Sequence, residues 1–342
     1  MQLYLVTDND GFFQQHLNRW KSLDIDFIST YCKSKGIDCR TIRAQEVPNI
    51  RFDPAHDVVW ATSHHIYEKR RYIIDVLSYL HLRWPGLTMY PDYELFLCHE
   101  NKGMQELVKQ QKGIEDLLGT YLQTFPDENE YSNNNQWPVV GKKNEGSGSF
   151  GVFLIENEEK LRQTFNEQSK LGFTRWLKYL RHYFKDGAKM AQLYKKYYTI
   201  KAPFVLQPFV QNLEYDYKVL VFQDKFYCLT RYNRKNDFRA SGSGNLEFLE
   251  APKGILDIAE HYFNYFDSPF LSLDLCYDGK QFHLIEFQGP SFGPYTMVKA
   301  PWYYRKENNK WQKYENTFSL EEVFTDSVIF AMIEKGEKKV HT

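Results

Sequence analysis

Three side chains with oxygen donors lie close together in the segment S-L-D-L-C-Y-D-G-K-Q-F-H-L-I-E-F-Q-G-P at 272–290. The segment reads as two β-strands joined by an Asp-Gly dipeptide, which favours the positive φ values of a tight hairpin turn. Pairing the strands across this turn brings Asp274 close to Glu286. Gln288 projects from the same face as Glu286, because it lies two residues further along the strand. Such oxygen ligands suit Mg²⁺, and the alternative is a surface hairpin with ordinary solvated acids.

A loop rich in small residues follows another predicted strand, in W-P-V-V-G-K-K-N-E-G-S-G-S-F-G-V at 137–152. Gly146, Gly148 and Gly151 permit positive φ and close backbone approach, so successive N–H groups can point at phosphate oxygens. Lys142, at the end of the strand, would place an ammonium group beside those phosphates. The alternative for the loop alone is a glycine-rich hairpin turn.

Acidic and basic side chains that could serve a nucleotide follow further along the chain. An apolar strand and a short linker at 204–213 precede Glu214 and Asp216. The linker can present backbone groups to an adenine edge, while one carboxylate accepts hydrogen bonds from ribose hydroxyls. Arg231 and Arg239 lie near a second glycine-rich turn, and an arginine fork suits phosphate and carboxylate. Taken alone, each basic side chain is better interpreted as a surface charge.

Composition excludes several classes of partner. Lys plus Arg is 43 and Asp plus Glu is 44, so overall charge offers no argument for nucleic acid or for an anionic membrane. The N-terminus reads as a short strand rather than a signal peptide, and no apolar run approaches the roughly 18–20 residues of a membrane span. Five scattered cysteines fit free thiols in a reducing compartment. We therefore expect a cytoplasmic protein without nucleic-acid or membrane partners.

The first 93 residues alternate strand and helix signals, which predicts a small parallel α/β unit. Its predicted strands are Leu3–Thr7, Asp38–Ile42, Val58–Ala61 and Leu87–Tyr90. Its predicted helices are Leu23–Lys35 and Tyr67–Leu82.

The remaining chain combines a charged helical stretch with antiparallel β-structure. Glu158–Lys201 is long, charged and rich in aromatic residues, and it reads as two helices. Its basic character could suggest a nucleic-acid surface, but we interpret it as a solvated helical face. The other predictions are helices at Asn101–Gln111, Ile255–Tyr265 and Leu320–Lys335, a polar loop at Asp127–Gln136, and strands at Trp137–Lys142, Val152–Ile155, Phe204–Val210, Tyr215–Phe222 and Lys225–Tyr232.

In their order along the chain, these motifs resemble the ATP-grasp superfamily, and more closely its RimK-like and glutathione-synthetase-like carboxylate–amine ligases. P-V-V-G-K, ending at Lys142, is similar to the family's P-V-V-x-K motif, whose lysine contacts the nucleotide. Lys102 in H-E-N-K-G is similar to its earlier ATP-contacting lysine. Residues 146–151 resemble its flexible phosphate loop, and V-L-Q-P-F-V at 205–210 its adenine hinge. L-D-L and L-I-E-F-Q resemble its two metal strands.

Three positions depart from the family pattern. Gln288 stands where Asn is usual, and Lys218, in D-Y-K, stands where D-x-R is usual. D-F-R-A-S at 237–241 resembles the family's x-F-R-x-N segment, with Ser241 in place of Asn. Glutamine keeps a carbonyl ligand on a longer arm, which leaves the metal geometry open, and Ser241 and Lys218 make substrate or phosphate contacts less secure.

The resemblance implies an α/β (α+β) fold of the ATP-grasp type, with an N-terminal parallel α/β domain and ATP bound between two β-containing subdomains. Its expected domains are residues 1–94, the N-terminal α/β domain; residues 95–204, a subdomain with the phosphate loop and a helical insertion at 158–201; and residues 205–342, a subdomain with the metal site.

The implied reaction joins a carboxylate to an amine through an acyl phosphate, using ATP and two Mg²⁺ ions, with Mn²⁺ as an alternative. The expected substrates are a carboxylate and an amine, such as an amino acid, a peptide or a sugar acid, and the resemblance allows a homodimer. The expected site residues are Lys102, Lys142, Gly146, Ser147, Gly148, Ser149 and Gly151 for the phosphates, Gln207 and Phe209 for adenine, Glu214 and Asp216 for ribose, Asp274, Glu286 and Gln288 for metal, and Arg239, Arg231 and Lys218 for catalysis.

Two other functions remain compatible with the sequence. One is a phosphotransferase on the same scaffold, with a hydroxyl acceptor instead of a carboxylate. The other is a nucleotide-binding protein without turnover, which the three departures would permit. Product analysis separates the first from a ligase, because only the ligase needs an amine to release phosphate.

Overall fold

The computed structural model describes residues 2–123, 137–146, 151–235 and 237–340, with 168–170 and 336–340 described by their backbone alone. The chain divides into two compact units, residues 1–99 with 211–342, and residues 100–210. The domain limits that we expected from the sequence stay a prediction. None of the described helices is both long and apolar enough to cross a membrane.

The first unit begins with a parallel sheet, as predicted. Strands β1 (Gln2–Thr7), β2 (Asp38–Arg43), β3 (Asp57–Ala61) and β4 (Thr88–Tyr90) lie in the order β2-β1-β3-β4. Helices Ile25–Ser34 and Tyr67–Arg83 connect them. The first helix begins two residues later than predicted, because Asp24 caps it by accepting a 2.9 Å hydrogen bond from the N–H of Phe27. A 3₁₀ segment, Ala44–Asn49, and a short helix, Tyr93–Cys98, complete this part.

The second unit is built on a four-stranded antiparallel sheet. Its strands are β5 (Thr120–Leu122), β6 (Val139–Lys143), β7 (Val152–Ile155), the short pair β8 (Ser169–Lys170) and β9 (Ile200–Lys201), and β10 (Phe204–Pro208). The sheet order is β5-β10-β6-β7, and β8 pairs with β9. Helix Lys102–Gln111 packs on β5 and β10, and helix Glu158–Gln168 contacts β7.

The charged stretch 158–201 contains three helices where we expected two. They are Glu158–Gln168, Phe173–Asp186 and Ala188–Tyr198. The first predicted helix is interrupted because β8 pairs with β9 and Gly172 lies in an extended conformation at the next N-cap. Gly187, with φ of 85°, separates the last two helices.

The remainder of the first unit is an antiparallel sheet. Its strands are β11 (Tyr215–Phe222), β12 (Lys225–Tyr232), β13 (Leu246–Glu247), β14 (Phe270–Tyr277), β15 (Phe282–Gln288), β16 (Trp302–Glu307) and β17 (Lys310–Glu315). They lie in the order β15-β14-β11-β12-β16-β17, with β13 on β12. Helices Ile255–Phe263, Tyr295–Lys299 and Leu320–Val340 accompany them.

One hydrophobic core joins the two sheets of the first unit. Trp60 of the parallel sheet packs against Phe270 and Phe324, with ring centroids 6.3 Å away in each case. The helix that carries Phe324 is also bonded to the N-terminal part, since the Tyr31 hydroxyl donates to Asp326 at 3.0 Å. This shared core and the hydrogen bond connect the antiparallel sheet to the N-terminal parallel sheet.

Candidate active site

A β-bulge brings the two predicted metal-binding carboxylates opposite each other. Near the turn, β14 and β15 pair regularly, with Leu275 opposite Leu284. The register then shifts by one residue, so that Asp274 lies opposite Glu286 rather than Ile285. Opposed residues in an antiparallel pair project from the same face, and a one-residue shift exchanges the faces. The bulge at Ile285 therefore places Glu286 and Asp274 on one face.

The same face extends across four neighbouring strands. Lys218 on β11 lies opposite Asp274, and Asp216 on β11 lies opposite Arg231 on β12. Gln288 lies opposite Ser272, two residues from Asp274. Six predicted site residues therefore share one face of the sheet: Asp216, Lys218, Arg231, Asp274, Glu286 and Gln288.

Arg231 is the centre of a buried ionic network on this face. Its Nε and Nη2 donate to the two carboxylate oxygens of Asp216 at 2.6 and 2.9 Å, and Nη2 also lies 2.9 Å from Oδ2 of Asp274. The Arg231 side chain is only 7% exposed. Burial opposes its charge, yet Asp274 and Asp216 raise the pKa of the guanidinium above its ordinary value. The geometry assigns Arg231 to these two carboxylates.

Asp274 is neutralised from two sides. Its Oδ1 lies 3.4 Å from Nζ of Lys218, and its Oδ2 contacts Arg231. Burial would raise the pKa of the Asp274 carboxyl, but the charges of Arg231 and Lys218 outweigh it and hold that pKa below the ordinary value. The two cationic partners therefore favour the ionised carboxylate, which is the form that binds a metal.

The donor set on this face suits a hard cation. Glu286 and Asp274 offer carboxylate oxygens, and Gln288, whose Nε2 donates to Oε1 of Glu286 at 3.0 Å, keeps its carbonyl oxygen for a ligand. Mg²⁺ binds through one or two carboxylates and leaves its other positions to water and phosphate. These residues fit that requirement.

The hairpin turn has its own stabilising contacts. Gly279 adopts φ of 93°, as expected for the Asp-Gly signal, but the loop contains four residues, 278–281. Oδ1 of Asp278 accepts hydrogen bonds from the N–H groups of Lys280 and Gln281 at 2.8 Å, and Oδ2 lies 3.0 Å from Nε2 of His283. These contacts hold the pKa of the Asp278 carboxyl far below its ordinary value. The hydrogen bond from Gln281 has the largest effect, followed by His283 and then by the hydrogen bond from Lys280.

Two other predicted residues of the first unit lie apart from the ionic network. Arg239 forms an ion pair with Asp237, two residues earlier in the chain, with its Nη2 2.6 Å from Oδ2 of the aspartate. The Arg239 side chain is 29% exposed. The bond to Asp237 raises the pKa of the Arg239 guanidinium. Glu214 is exposed immediately before β11. Each remains accessible to a ligand.

In the second unit, Lys102 and Gly146 are brought together. Asn101 caps helix Lys102–Gln111, and Nζ of Lys102 donates to the carbonyl oxygen of Gly146 at 2.6 Å. The backbone N–H of Lys102 donates to the carbonyl of Asn144, whose side-chain oxygen accepts from the N–H of Gly103 at 2.8 Å. The predicted lysine is thus anchored to the start of the glycine-rich loop.

The remainder of that loop is only partly described. Ser147, Gly148 and Ser149 lie outside the described residues. Gly151, with φ of 79°, returns the chain to β7 and accepts a 2.8 Å hydrogen bond from the N–H of Lys143. A Cβ there would lie 2.9 Å from the Lys143 side chain, so glycine is required.

The sheet of the second unit packs one face on an apolar core, and its other face carries Lys142 and Gln207 beside Val140 and Val205. Val139, Phe204 and Leu206 belong to a core with helix Glu158–Gln168. Lys142 and Gln207, at 6% and 3% exposure, lie on the other face, since their cross-strand partners are Val205 and Val140. Phe209 follows the end of β10 and is half-buried.

Sequence reasoning missed a buried polar stripe that supports this face. Glu106 and Lys109 are 6% and 1% exposed and lie four and seven residues after Lys102, on one side of the same helix. The carbonyl of Leu117 accepts from both Lys109 and Gln207, at 3.1 and 3.0 Å, and Leu117 has φ of 43°. The helical spacing of the polar residues was a usable signal, whereas the left-handed Leu117 carries none.

No protein-family model matches this sequence, and no curated protein matches it. Solved structures do match over nearly the whole chain. D-cycloserine synthetase DcsG is 12% identical, with 97% of this chain and 100% of that chain covered and a TM-score of 0.53. D-alanine–D-alanine ligase from Bacillus anthracis is 10% identical, with 99% of each chain covered and a TM-score of 0.52.

The ATP-grasp ligase PsnB, solved in complex with minimal precursor, is 13% identical, with 97% of this chain and 99% of that chain covered and a TM-score of 0.52. These likenesses concern the arrangement of the sheets and helices described above. The expected fold is confirmed: the chain has the ATP-grasp fold.

Proposed function

We propose that this protein joins a carboxylate to an amine through an acyl phosphate at the expense of ATP. The observation that carries the proposal is the row of Glu286, Asp274 and Lys218 across three strands, with Arg231 holding Asp274 in place. The second unit adds two buried lysines, Lys102 and Lys142. On an ATP-grasp fold, this combination suits phosphate and metal chemistry.

The second unit supplies phosphate and adenine contacts in this proposal. Lys102, Lys142 and the backbone of residues 146–151 would bind the phosphates, with Gln207 and Phe209 beside adenine. Support comes from the anchoring of Lys102 to Gly146 and from the position of Lys142 and Gln207 on one face of the sheet.

For the ribose hydroxyls, the contacts favour Glu214 over Asp216. Both carboxylate oxygens of Asp216 accept from Arg231, and the residue is buried. Glu214 is exposed and is free of any such ion pair in the described residues of the structure. We therefore assign Asp216 to positioning Arg231, and through it Asp274.

Asp274, Glu286 and Gln288 would hold two Mg²⁺ ions, with Mn²⁺ as an alternative. Mg²⁺ held there would neutralise charge on the β- and γ-phosphates during transfer. A solved D-alanine–D-alanine ligase contains ATP, and a solved PsnB complex contains Mg and ADP, which supports this choice of cofactors.

The chemistry proceeds in two displacements. A carboxylate oxygen of the first substrate attacks the γ-phosphorus of ATP, and ADP leaves. The amine nitrogen of the second substrate then attacks the acyl carbon, phosphate leaves, and a proton is lost from nitrogen. Arg239, whose side chain is 29% exposed and is paired with Asp237, would stabilise the acyl phosphate, whereas Lys218 would act near Asp274.

The substrates are an amino acid, a peptide or a sugar acid as the carboxylate, and an amine. The similar solved structures include ligases of D-alanine and a synthetase of D-cycloserine, which supports small amino-acid-like substrates. We place the reaction in the cytoplasm, where the five free cysteines stay reduced.

The test is ATP consumption with pooled carboxylates and amines, followed by mass spectrometry of the products. A ligase forms an amide product and releases phosphate only when both pools are present. A phosphorylated hydroxyl compound formed without amine would instead identify a phosphotransferase. ATP binding without any product would identify a protein that lacks turnover.

Arg239→Ala provides the residue-level test of the same proposal. Loss of one charge-assisted donor to the acyl phosphate should lower turnover by roughly a hundredfold, with little change in ATP affinity. Arg305→Ala is the matched control, because Arg305 is likewise paired with an acid two residues away, Glu307, at 2.6 Å. Equal turnover in the two variants would remove Arg239 from the site.

A further inference from the structure

Helix Phe173–Asp186 is amphipathic but buries none of its described residues within the chain. Phe173, Trp176, Leu177 and Phe184 recur at helical spacing and form an outer stripe with exposed fractions of 72%, 45%, 47% and 83%. Most helical stability in proteins comes from burying such a face. Among the described residues nothing buries this outer stripe, so it is available to a partner outside the chain.

The neighbouring helix Ala188–Tyr198 does not cover the outer stripe. It contacts Arg175, Tyr179 and His182, through Tyr198, Lys195 and Tyr194 respectively. With 100° of rotation per residue, those three contact positions lie on the opposite side of the helix from Phe173 and Phe184. The helical pair thus packs through its polar and aromatic sides and leaves the apolar stripe outward.

The second helix of the pair adds exposed apolar surface of its own. Met190, Leu193 and Tyr197 lie three and seven residues apart on one side of it, with exposed fractions of 52%, 53% and 81%. A single exposed apolar residue is ordinary, but contiguous stripes on two adjacent helices indicate an interaction surface.

Charge in this segment differs sharply from that of the whole chain. The chain has a net charge of −1, whereas residues 173–201 contain one acid, Asp186, and eight basic residues. Three of these, Lys178, Arg181 and Lys185, recur along one flank of the outer stripe. The basic residues are Arg175, Lys178, Arg181, Lys185, Lys189, Lys195, Lys196 and Lys201.

We propose that this helical pair binds the surface of an anionic lipid bilayer, with the outer stripe inserted at the level of the headgroups. Helices that lie in the membrane interface carry Phe, Trp and Leu on one side and Lys and Arg on the other, as this pair does. Basic residues on the flank then meet anionic headgroups. A surface for nucleic acid would use the charges and aromatic rings, but would leave the leucine and methionine side chains unexplained.

The expectation of no membrane partner rested on the balanced charge of the whole chain and on the lack of an apolar run long enough to span a membrane. The local excess of basic residues beside an apolar stripe reverses that reasoning for this segment. Such binding requires no membrane-spanning helix, and it is independent of the ligase reaction proposed above.

The test is sedimentation of the full chain with vesicles of phosphatidylcholine alone and with about one third phosphatidylserine. Binding should be selective for the anionic vesicles and should weaken as salt is raised. Replacing Phe173 and Phe184 together with serine should reduce the partition coefficient by about tenfold or more, because both rings lose their apolar environment. The matched control is Leu82→Ser, at a site 79% exposed on another helix, which should leave binding unchanged.

Charge reversal tests the basic flank separately. Lys178→Glu with Arg181→Glu should reduce anionic-vesicle binding by about tenfold at low salt, whereas Lys280→Glu with Lys310→Glu should not. Each variant is checked for an unchanged unfolding transition. The proposal would be overturned if the protein sedimented equally with both vesicle types, or if it sedimented with neither. A third result would also overturn it: no vesicle binding, together with a dimer or a complex with single-stranded RNA that forms with the wild-type chain and is lost in the serine variant.

Discussion

Replacing Arg231 with methionine tests the buried ionic network directly. Methionine fills a similar volume but removes three contacts, at 2.6 and 2.9 Å to Asp216 and at 2.9 Å to Asp274. The two carboxylates, 12% and 16% exposed, would then face each other, and Lys218 would be the cation left in contact with them among the described residues. Removing one partner of a buried pair costs about 3–5 kcal/mol. The folded-to-unfolded ratio should therefore fall by roughly a thousandfold.

The assay is equilibrium unfolding in urea, followed by circular dichroism. Arg305→Met is the matched control, because Arg305 forms a comparable pair with Glu307 but is 35% exposed. An exposed pair contributes only about 0–1 kcal/mol, so the control should remain close to wild type. Adding Asp216→Asn to Arg231→Met should recover part of the lost stability, since one of the two uncompensated charges disappears.

A loss of less than about 1 kcal/mol for Arg231→Met would refute this reasoning. It would mean that water reaches the carboxylates and that the network does not hold Asp274 in position. A double variant less stable than Arg231→Met alone would contradict it as well, because Asp216 would then be stabilised by groups other than Arg231.

Three further predictions concern the nucleotide, the metal and the turn. Lys142→Ala should weaken ATP binding measured by calorimetry. Lys143→Ala is the control and should not, because Lys143 is the adjacent residue on the opposite face of β6. Equal affinities of the two variants would remove Lys142 from the site. Glu286→Gln should abolish turnover and Mg²⁺-dependent ATP binding with unchanged thermal stability in the absence of nucleotide, and Glu307→Gln should leave both activities intact. Normal turnover in the first variant would end the metal assignment. Asp278 has a lowered pKa, so its contribution to stability is present above its ordinary pKa of about 4 and is lost as pH falls. Asp278→Ala should therefore be less stable than wild type at pH near 7, and the difference between the urea midpoints of the two proteins should narrow steadily as pH falls below about 4; a constant difference would show that the carboxylate charge is irrelevant.

Local patterns in the sequence were sufficient to predict the hairpin and its carboxylates. The Asp-Gly turn between two predicted strands indicated that Asp274 and Glu286 would lie close together, and the register confirms it. The bulge at Ile285 was not predictable, because regular alternation would have grouped Glu286 with Leu284 on the same face. Only the packing of both strands decides where an extra residue is accommodated.

Pairing of charges was the part of the site that sequence reasoning could not supply. Arg231 was expected at an acyl phosphate, but its contact with Asp274 depends on the pairing of β14 with β11, and β14 is distant in the chain from β11 and β12. A fork of donors suits a carboxylate as well as a phosphate. The same limit applies to helix Lys102–Gln111, whose buried Lys109 serves a backbone carbonyl rather than solvent.

The bulge at Ile285 also separates the length of the hairpin loop from the placement of the carboxylates. Residues 278–281 can be lengthened or shortened without changing which side of the sheet Glu286 faces, because the strands re-enter their pairing before Asp274 is reached. A single insertion or deletion between Leu284 and Glu286 would not be tolerated in the same way. It would change the number of residues between the Leu275–Leu284 pair and Glu286, and so the face of the sheet from which Glu286 projects. Among relatives of this chain, loop length should therefore vary freely while the spacing from that pair to the glutamate is kept.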